Sequence, residues 1–354
     1  MRRIYMSFID NIRQVVPYTP GEQPQRKVIK LNTNESPYPP SPKVTAALAG
    51  VKTNDLRRYP APDAHDLVDA IAKYYNVKDD QVFVGVGSDD VLSMCFLTFF
   101  AGKKPILFPD ITYSFYSVWA DVYRIPFKTV PLTADFRIDP KAYSVENGGI
   151  VFANPNAPTG RALALNDVES IIASNPNSVV IVDEAYIDFG GETALPLIDK
   201  YDNLIVTRTM SKSRALAGMR IGYAISNPKL IKYLNDVKFS VNSYTMNMPS
   251  LAAGIAAIED DKYFKDITGQ TIATREWTKK ELSKLGFTFA DSQTNFIFAT
   301  RPNTSAEKIF NELKANDIFV RYFKQPILDK YLRITIGTQA EMEKFIQVLK
   351  TLLV

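Results

Sequence analysis

Histidine and cysteine are the scarcest residues in this chain, with one of each in 354 positions, His65 and Cys95. A single histidine excludes Ser-His-Asp triads and multi-histidine metal sites, so no metal is expected and proton transfer falls to another group. A lone cysteine excludes an intrachain disulfide and suits a reducing compartment. Set in Val91-Leu92-Ser93-Met94-Cys95-Phe96-Leu97, it reads as a core residue. Nowhere do 18 uncharged apolar residues run together, so no segment reads as a membrane span. The opening eleven residues, Met1 to Asn11, are too polar for the apolar region of a secretion signal, which makes a cytoplasmic location the expectation.

Repeats, low-complexity tracts and blocks of one charge are also absent. The net charge of +4 comes from 42 basic and 38 acidic residues interspersed along the chain, which gives no support for nucleic-acid or membrane binding. What is present is ordinary globular composition, 46% hydrophobic and 23% charged. A chain this long exceeds what one core usually serves, so two lobes are expected.

From about residue 80 to 226, β-branched runs alternate with helical stretches, the pattern of a mostly parallel sheet flanked by helices. Strands are expected at Val82–Val86, Pro105–Phe108, Phe127–Pro131, Ile150–Ala153, Val179–Val182 and Leu204–Thr207. A seventh, Ile221–Ile225, is read as antiparallel. Ser88-Asp89-Asp90 is read as capping the helix after Gly87, and Leu165–Ala173 as a helix stopped by Asn175-Pro176. Beyond about residue 250 a long helical stretch precedes strands at Asn295–Ala299, near Val320 and at Leu332–Ile336. Thr304/Glu307 and Thr338/Glu341 are read as capping boxes. The expected division is an N-terminal segment over 1–30, packing on the small lobe or a partner subunit, a large domain over 31–250 and a small α+β domain over 251–354.

In such sheets the ligand lies beyond the carboxyl ends of the strands. There the chain places Thr209-Met210-Ser211-Lys212-Ser213-Arg214, a lysine just after a strand, with Arg220 eight positions on. A lysine amine is a nucleophile that can hold pyridoxal 5′-phosphate (PLP), and Ser211 with Arg220 could grip a phosphate ester. The buried-looking strand Val179–Val182 ends in Asp183-Glu184-Ala185-Tyr186. Asp183 could pair with a protonated pyridine nitrogen, and Tyr186 could hydrogen-bond the ring oxygen. A metal-binding Asp-Glu pair is the competing reading, but no Gly-x-x-x-x-Gly-Lys-Ser/Thr loop accompanies it. Gly85-Val86-Gly87-Ser88-Asp89 opens a helix whose free N–H groups can receive a phosphate. A dinucleotide fingerprint would need a third glycine where Asp90 stands. Tyr113 could stack on a planar ring.

The ordered set Leu31-Asn32-Thr33-Asn34-Glu35-Ser36-Pro37-Tyr38, Arg58-Tyr59-Pro60, Gly87-Ser88-Asp89, Tyr113, Asn154-Pro155-Asn156-Ala157-Pro158-Thr159-Gly160, Asp183-Glu184-Ala185-Tyr186, Ser211-Lys212, Arg220 and Leu332-Arg333-Ile334 resembles the fold-type-I PLP-dependent aminotransferases. Within them it looks most like the histidinol-phosphate aminotransferase family. The resemblance covers nearly the whole chain. It implies an α/β fold with a seven-stranded, mostly parallel sheet and a smaller α+β domain. It also implies amino transfer from L-histidinol phosphate to 2-oxoglutarate, giving imidazole-acetol phosphate and L-glutamate, a step of histidine biosynthesis. Lys212 would be the Schiff-base lysine and proton carrier, Asp183 the partner of the ring nitrogen and Tyr186 that of the ring oxygen. Gly87, Ser88, Asp89, Ser211 and Arg220 would surround the cofactor phosphate, and Tyr113 would stack on the ring. Tyr59 would reach the neighbouring subunit's cofactor in a homodimer. Asn34, Arg321 and Arg333 would bind substrate. The family's asparagine before Pro-Thr-Gly is Ala157 here, and Asn156, one place earlier, is the candidate for its contact. Alternatives on the same fold are aromatic amino-acid transamination and decarboxylation of a phosphorylated amino acid. The alternative of another class is a PLP-binding regulatory protein without turnover.

Overall fold

The computed structural model describes residues 8–353; the first seven residues of the N-terminal segment lie outside them. In chain order the strands are β1 (Ile29–Leu31), β2 (Val82–Gly85), β3 (Ile106–Pro109), β4 (Phe127–Val130), β5 (Ile150–Ala153), β6 (Val180–Asp183), β7 (Leu204–Thr209), β8 (Gly222–Ser226), β9 (Thr288–Phe289), β10 (Phe296–Thr300), β11 (Ile318–Tyr322) and β12 (Leu332–Thr335). The helices are α1 (Pro42–Ala49), α2 (His65–Tyr75), α3 (Ser88–Phe99), α4 (Phe115–Tyr123), α5 (Leu165–Ala173), α6 (Pro228–Val241), α7 (Met248–Glu259), α8 (Asp261–Lys284), α9 (Ala306–Ala315) and α10 (Gln339–Leu352).

β6 and β7 are buried on both faces, and their side chains alternate between two cores. Val180 and Val182, with Leu204 and Val206, point into one core; Ile181 and Ile205 point into the other. This period-2 sorting follows from the pleat, and burial of each such aliphatic stabilises the fold by roughly 1.5–3 kcal/mol. The order β2-β8-β7-β6-β5-β3-β4 gives seven strands, of which β8 alone runs antiparallel, to both β2 and β7. The expected architecture and the antiparallel seventh strand are therefore present.

A second sheet, β1-β11-β12-β10-β9, packs with α8, α9 and α10 around Phe345, Ile297 and Leu313. Its edge strand β1 comes from the Pro-rich N-terminal stretch, which lacked periodicity because only three residues pair, in parallel with β11. Residue 251 falls inside α7, which packs on α1 and α2 and contributes Ala253 and Ala257 to the first lobe's core.

Two helix starts differ from expectation. At α9 the cap is Ser305, whose hydroxyl accepts from the Lys308 N–H. Thr304 instead accepts from the Arg301 guanidinium at 2.6 Å. At α3 the cap is Gly87, and Ser88 is already helical, so no side chain caps this end. The Thr338/Glu341 box of α10 forms in full.

Candidate active site

The carboxyl ends of β5, β6 and β7 and the start of α3 enclose a cavity of ≈180 Å³. Ser88, Asp89, Tyr113, Asp183, Tyr186, Ser211, Lys212 and Arg220 all line it. Eight candidates scattered over 130 positions thus share one wall-to-wall space, because parallel strands all end on the same edge of the sheet.

Asp183, the last residue of β6, is buried at one end of the cavity. It accepts hydrogen bonds from the Tyr116 hydroxyl at 2.9 Å and the Ala185 N–H at 3.2 Å. Burial pushes its carboxyl up to about 6 against these two donors, so the site favours a cation beside it. Across the cavity the Lys212 amine lies 3.4 Å from the Thr33 carbonyl and 5.8 Å from the Tyr186 ring centre. The Tyr186 hydroxyl accepts from the Asn34 amide at 2.9 Å. Asn34, at a φ of 57°, is held by the Thr335 hydroxyl through its own N–H and its amide oxygen, each at 3.0 Å. Asn295 donates to its carbonyl. Strand β12 of the second sheet thereby orients a tyrosine of the first. Glu35 also faces the cavity. Burial works against its charge, yet Lys30 and Thr33, which donate to it, and the nearby Lys212 hold it below the ordinary glutamate value.

The other end is shaped for an anion. Gly87 sits at φ 85°, and a Cβ there would meet the Arg220 guanidinium at 2.5 Å. Gly222 lets β8 pass so close that its Cβ would lie 2.3 Å from the Ser88 nitrogen. The N–H groups of the first turn of α3 have no acceptor within their own helix and carry its positive dipole end. Arg220 pairs with Asp89 at 3.2 Å, and Asp89 also accepts from Tyr113 at 2.7 Å. Burial and Asp89 together push the Tyr113 phenol well above its ordinary value. The Arg220–Asp89 pair is half exposed, so its worth is small and the guanidinium can turn to a stronger anion.

Tyr113, Ala157 and Tyr186 form the shared wall between this cavity and an outer one of ≈370 Å³. The outer cavity holds Arg321, Arg333 and Asp121, and Val16–Thr19 of the N-terminal stretch forms part of its rim. Arg333 is half-buried, donates to the Asn32 carbonyl at 2.8 Å and leaves its buried Nε without a partner. Burial lowers its affinity for a proton, so an incoming anion would satisfy both the orphan N–H and the charge. Arg321 points to the Thr19 and Pro20 carbonyls at 3.2 and 3.5 Å, tying the rim down.

The family model for class I and II aminotransferases matches residues 26–349. This chain belongs to that family. Histidinol-phosphate aminotransferase of Marinomonas sp. (strain MWYL1) is 52% identical over 347 residues, 97% of this chain and 98% of the relative. That of Lactococcus lactis subsp. cremoris (strain MG1363) is 49% identical over 98% of this chain and 97% of its own. Among solved structures, histidinol-phosphate aminotransferase from Sinorhizobium meliloti in complex with pyridoxal 5′-phosphate superposes with a TM-score of 0.83 at 26% identity, over 92% of each chain. L-threonine-O-3-phosphate decarboxylase from Porphyromonas gingivalis shares the fold at a TM-score of 0.77 and 21% identity.

Within this aminotransferase, Asn156 lies off the cavity wall. Its amide donates to the Ile111 carbonyl at 2.9 Å and to Thr159 at 3.0 Å, and accepts from Thr112 at 2.8 Å. The side chain is consumed in holding its own turn, and Ala157 supplies the cavity wall instead. Asn34 likewise lies behind Tyr186 rather than on either cavity wall. Gly87 acts by lacking a side chain. Tyr59 is 79% exposed, stacks on Tyr244 at 4.5 Å and lies outside both cavities of its own chain. The sequence reading missed Tyr116, although it lies only three positions after Tyr113, in the first turn of α4. It also missed Glu35 and the Val16–Thr19 rim, for which no local pattern exists.

Proposed function

We propose that this enzyme transfers the amino group of L-histidinol phosphate to 2-oxoglutarate with pyridoxal 5′-phosphate as cofactor, and that it works as a homodimer in the cytoplasm. The observation that carries the reading is one cavity with an amine at its middle, a buried carboxylate at one end and an anion cradle at the other, opening onto an orphan arginine N–H. When bound, the cofactor supplies an electron sink for the charge left at the donor's Cα. Lys212 would attach the cofactor aldehyde and carry the proton to and from that carbon. Asp183 would keep the ring nitrogen protonated, Tyr186 would hydrogen-bond the ring oxygen, and Tyr113 would lie against the ring face. The α3 N–H groups, Ser211 and Arg220 would hold the phosphate. Arg333 is favoured as the ligand of the substrate's own anion, since Arg321 is tied to the rim.

The purified protein should absorb visible light, and adding L-histidinol phosphate without an oxo acid should bleach that band. kcat/KM should then be higher for histidinol phosphate than for phenylalanine, with no decarboxylation of threonine phosphate. A colourless protein, or a preference for phenylalanine, would count against the reading.

A further inference from the structure

Asp183 and Lys212 are each followed by a residue whose side chain leaves the cavity for the far side of the sheet. Glu184 and Ser213 both enter one buried polar cluster there. Arg208 is its centre: on β7 it faces away from the cavity while Thr209, next in sequence, bonds Ser211 of the cavity wall at 2.9 Å. The Arg208 guanidinium donates to Glu184 at 2.7 and 3.0 Å, to Thr193 at 2.8 Å, to the Tyr75 hydroxyl at 3.1 Å and to Asp188 at 3.4 Å. The remaining Asp188 oxygen accepts from the Ser213 hydroxyl at 2.5 Å. Glu184 also accepts from the Ala194 N–H at 2.6 Å and from Thr193 at 2.8 Å. Arg208, Glu184 and Ser213 are buried and Asp188 is partly exposed, so the Arg208–Glu184 pair is little screened by water and the Asp188 ties somewhat more.

We infer that Arg208, Asp188 and Ser213 are positioning residues that set the Lys212 amine against Asp183 from behind the sheet. The chain from Glu184 through Arg208 and Asp188 to Ser213 is a continuous hydrogen-bonded link between the residue after Asp183 and the residue after Lys212. Lys212 itself sits in a turn after β7, outside the ladder, where no strand pairing holds it; the Ser213 bond to Asp188 supplies that constraint. Arg208 suits the role because a planar fork can donate to several acceptors at fixed angles, which a lysine cannot. The inference rests on the reading of Lys212 as the cofactor amine.

The test uses full-length holoenzyme carrying Ser213→Ala, Asp188→Asn or Arg208→Lys. Three quantities are read: kcat and KM for the donor, the midpoint of the pH-dependent change in the visible band, and the thermal midpoint of the cofactor-free protein. Misplacing the amine should lower kcat by roughly tenfold to a hundredfold. It should also shift the spectral midpoint by about half a unit or more, because the charges facing the amine change distance. KM and the thermal midpoint of Ser213→Ala should stay near those of the unaltered enzyme, and Arg208→Lys should be the most affected. Unchanged kcat and spectral midpoint in all three variants would overturn the inference, as would losses that only follow the thermal midpoint. An unaltered enzyme with no visible band would overturn the cofactor reading itself, and the same titration reports that first.

Discussion

Asp183 is a carboxylate whose surroundings make ionisation costly. Its folded-state value, about 6, lies above that of an unfolded aspartate. Its stabilising contribution to the cofactor-free protein is therefore fully present below the unfolded value and lost as pH rises through about 6. The shift corresponds to roughly 3 kcal/mol across that window. A pyridinium beside the carboxylate would offset this cost. Asp183→Asn keeps the shape and removes the titration. The cofactor-free variant should then lose less stability than the unaltered protein between pH 4.5 and 7.5, read as urea midpoints, while its kcat falls by about 10²-fold or more. Superimposable urea curves for the two proteins would show that the carboxylate does not titrate as a buried group.

At the scale of elements, the anion end depends on α3 starting where it does. Gly87 combines a positive φ with the 2.5 Å approach of Arg220, so Gly87→Ala adds backbone strain of about 1–3 kcal/mol and displaces the guanidinium. Titrating cofactor-free protein with pyridoxal 5′-phosphate should show binding weakened by roughly tenfold or more, the loss of about one charge-assisted hydrogen bond from the displaced guanidinium. Gly102→Ala, at a glycine with open space around it, should bind normally and serves as the control. The strands leading into this region were legible from their β-branched runs, because a strand covered on both faces leaves no room for polar residues. The caps were less so. Ser305 and Thr304 are adjacent hydroxyls, and only the Arg301 bond to Thr304 decides which of them turns to the helix. Strand β1 was invisible because three residues are too short for a period and their partner lies near the other end of the chain.

At the scale of the whole molecule, Tyr59 has no role inside its own chain's cavities, and that is what a residue serving a neighbouring site should look like. Subunit exchange tests the dimer proposal. Lys212→Ala and Tyr59→Ala proteins, each impaired alone, should regain about a quarter of the unaltered rate when mixed and allowed to exchange, since half the dimers would then carry one intact site. A mixture no more active than the mean of its components would argue that Tyr59 acts in its own chain or not at all.

By itself the sequence determined the seven strands of the large sheet, the carboxyl-edge residues Asp183, Tyr186, Lys212 and Arg220, and the Gly87 turn that opens α3. These follow from local rules: side-chain period, burial of continuous apolar runs and the parallel course of the strands. Only the tertiary structure decided that Ala157 rather than Asn156 walls the cavity, that Arg321 holds the rim while Arg333 keeps a free N–H, and that Glu184 turns away to Arg208. Each of those choices is a side-chain direction set by a contact distant in sequence, as between Asn34 and Thr335, 301 positions apart. No local pattern encodes such a direction, because the energy that selects it exists only once the contacting segments have packed together.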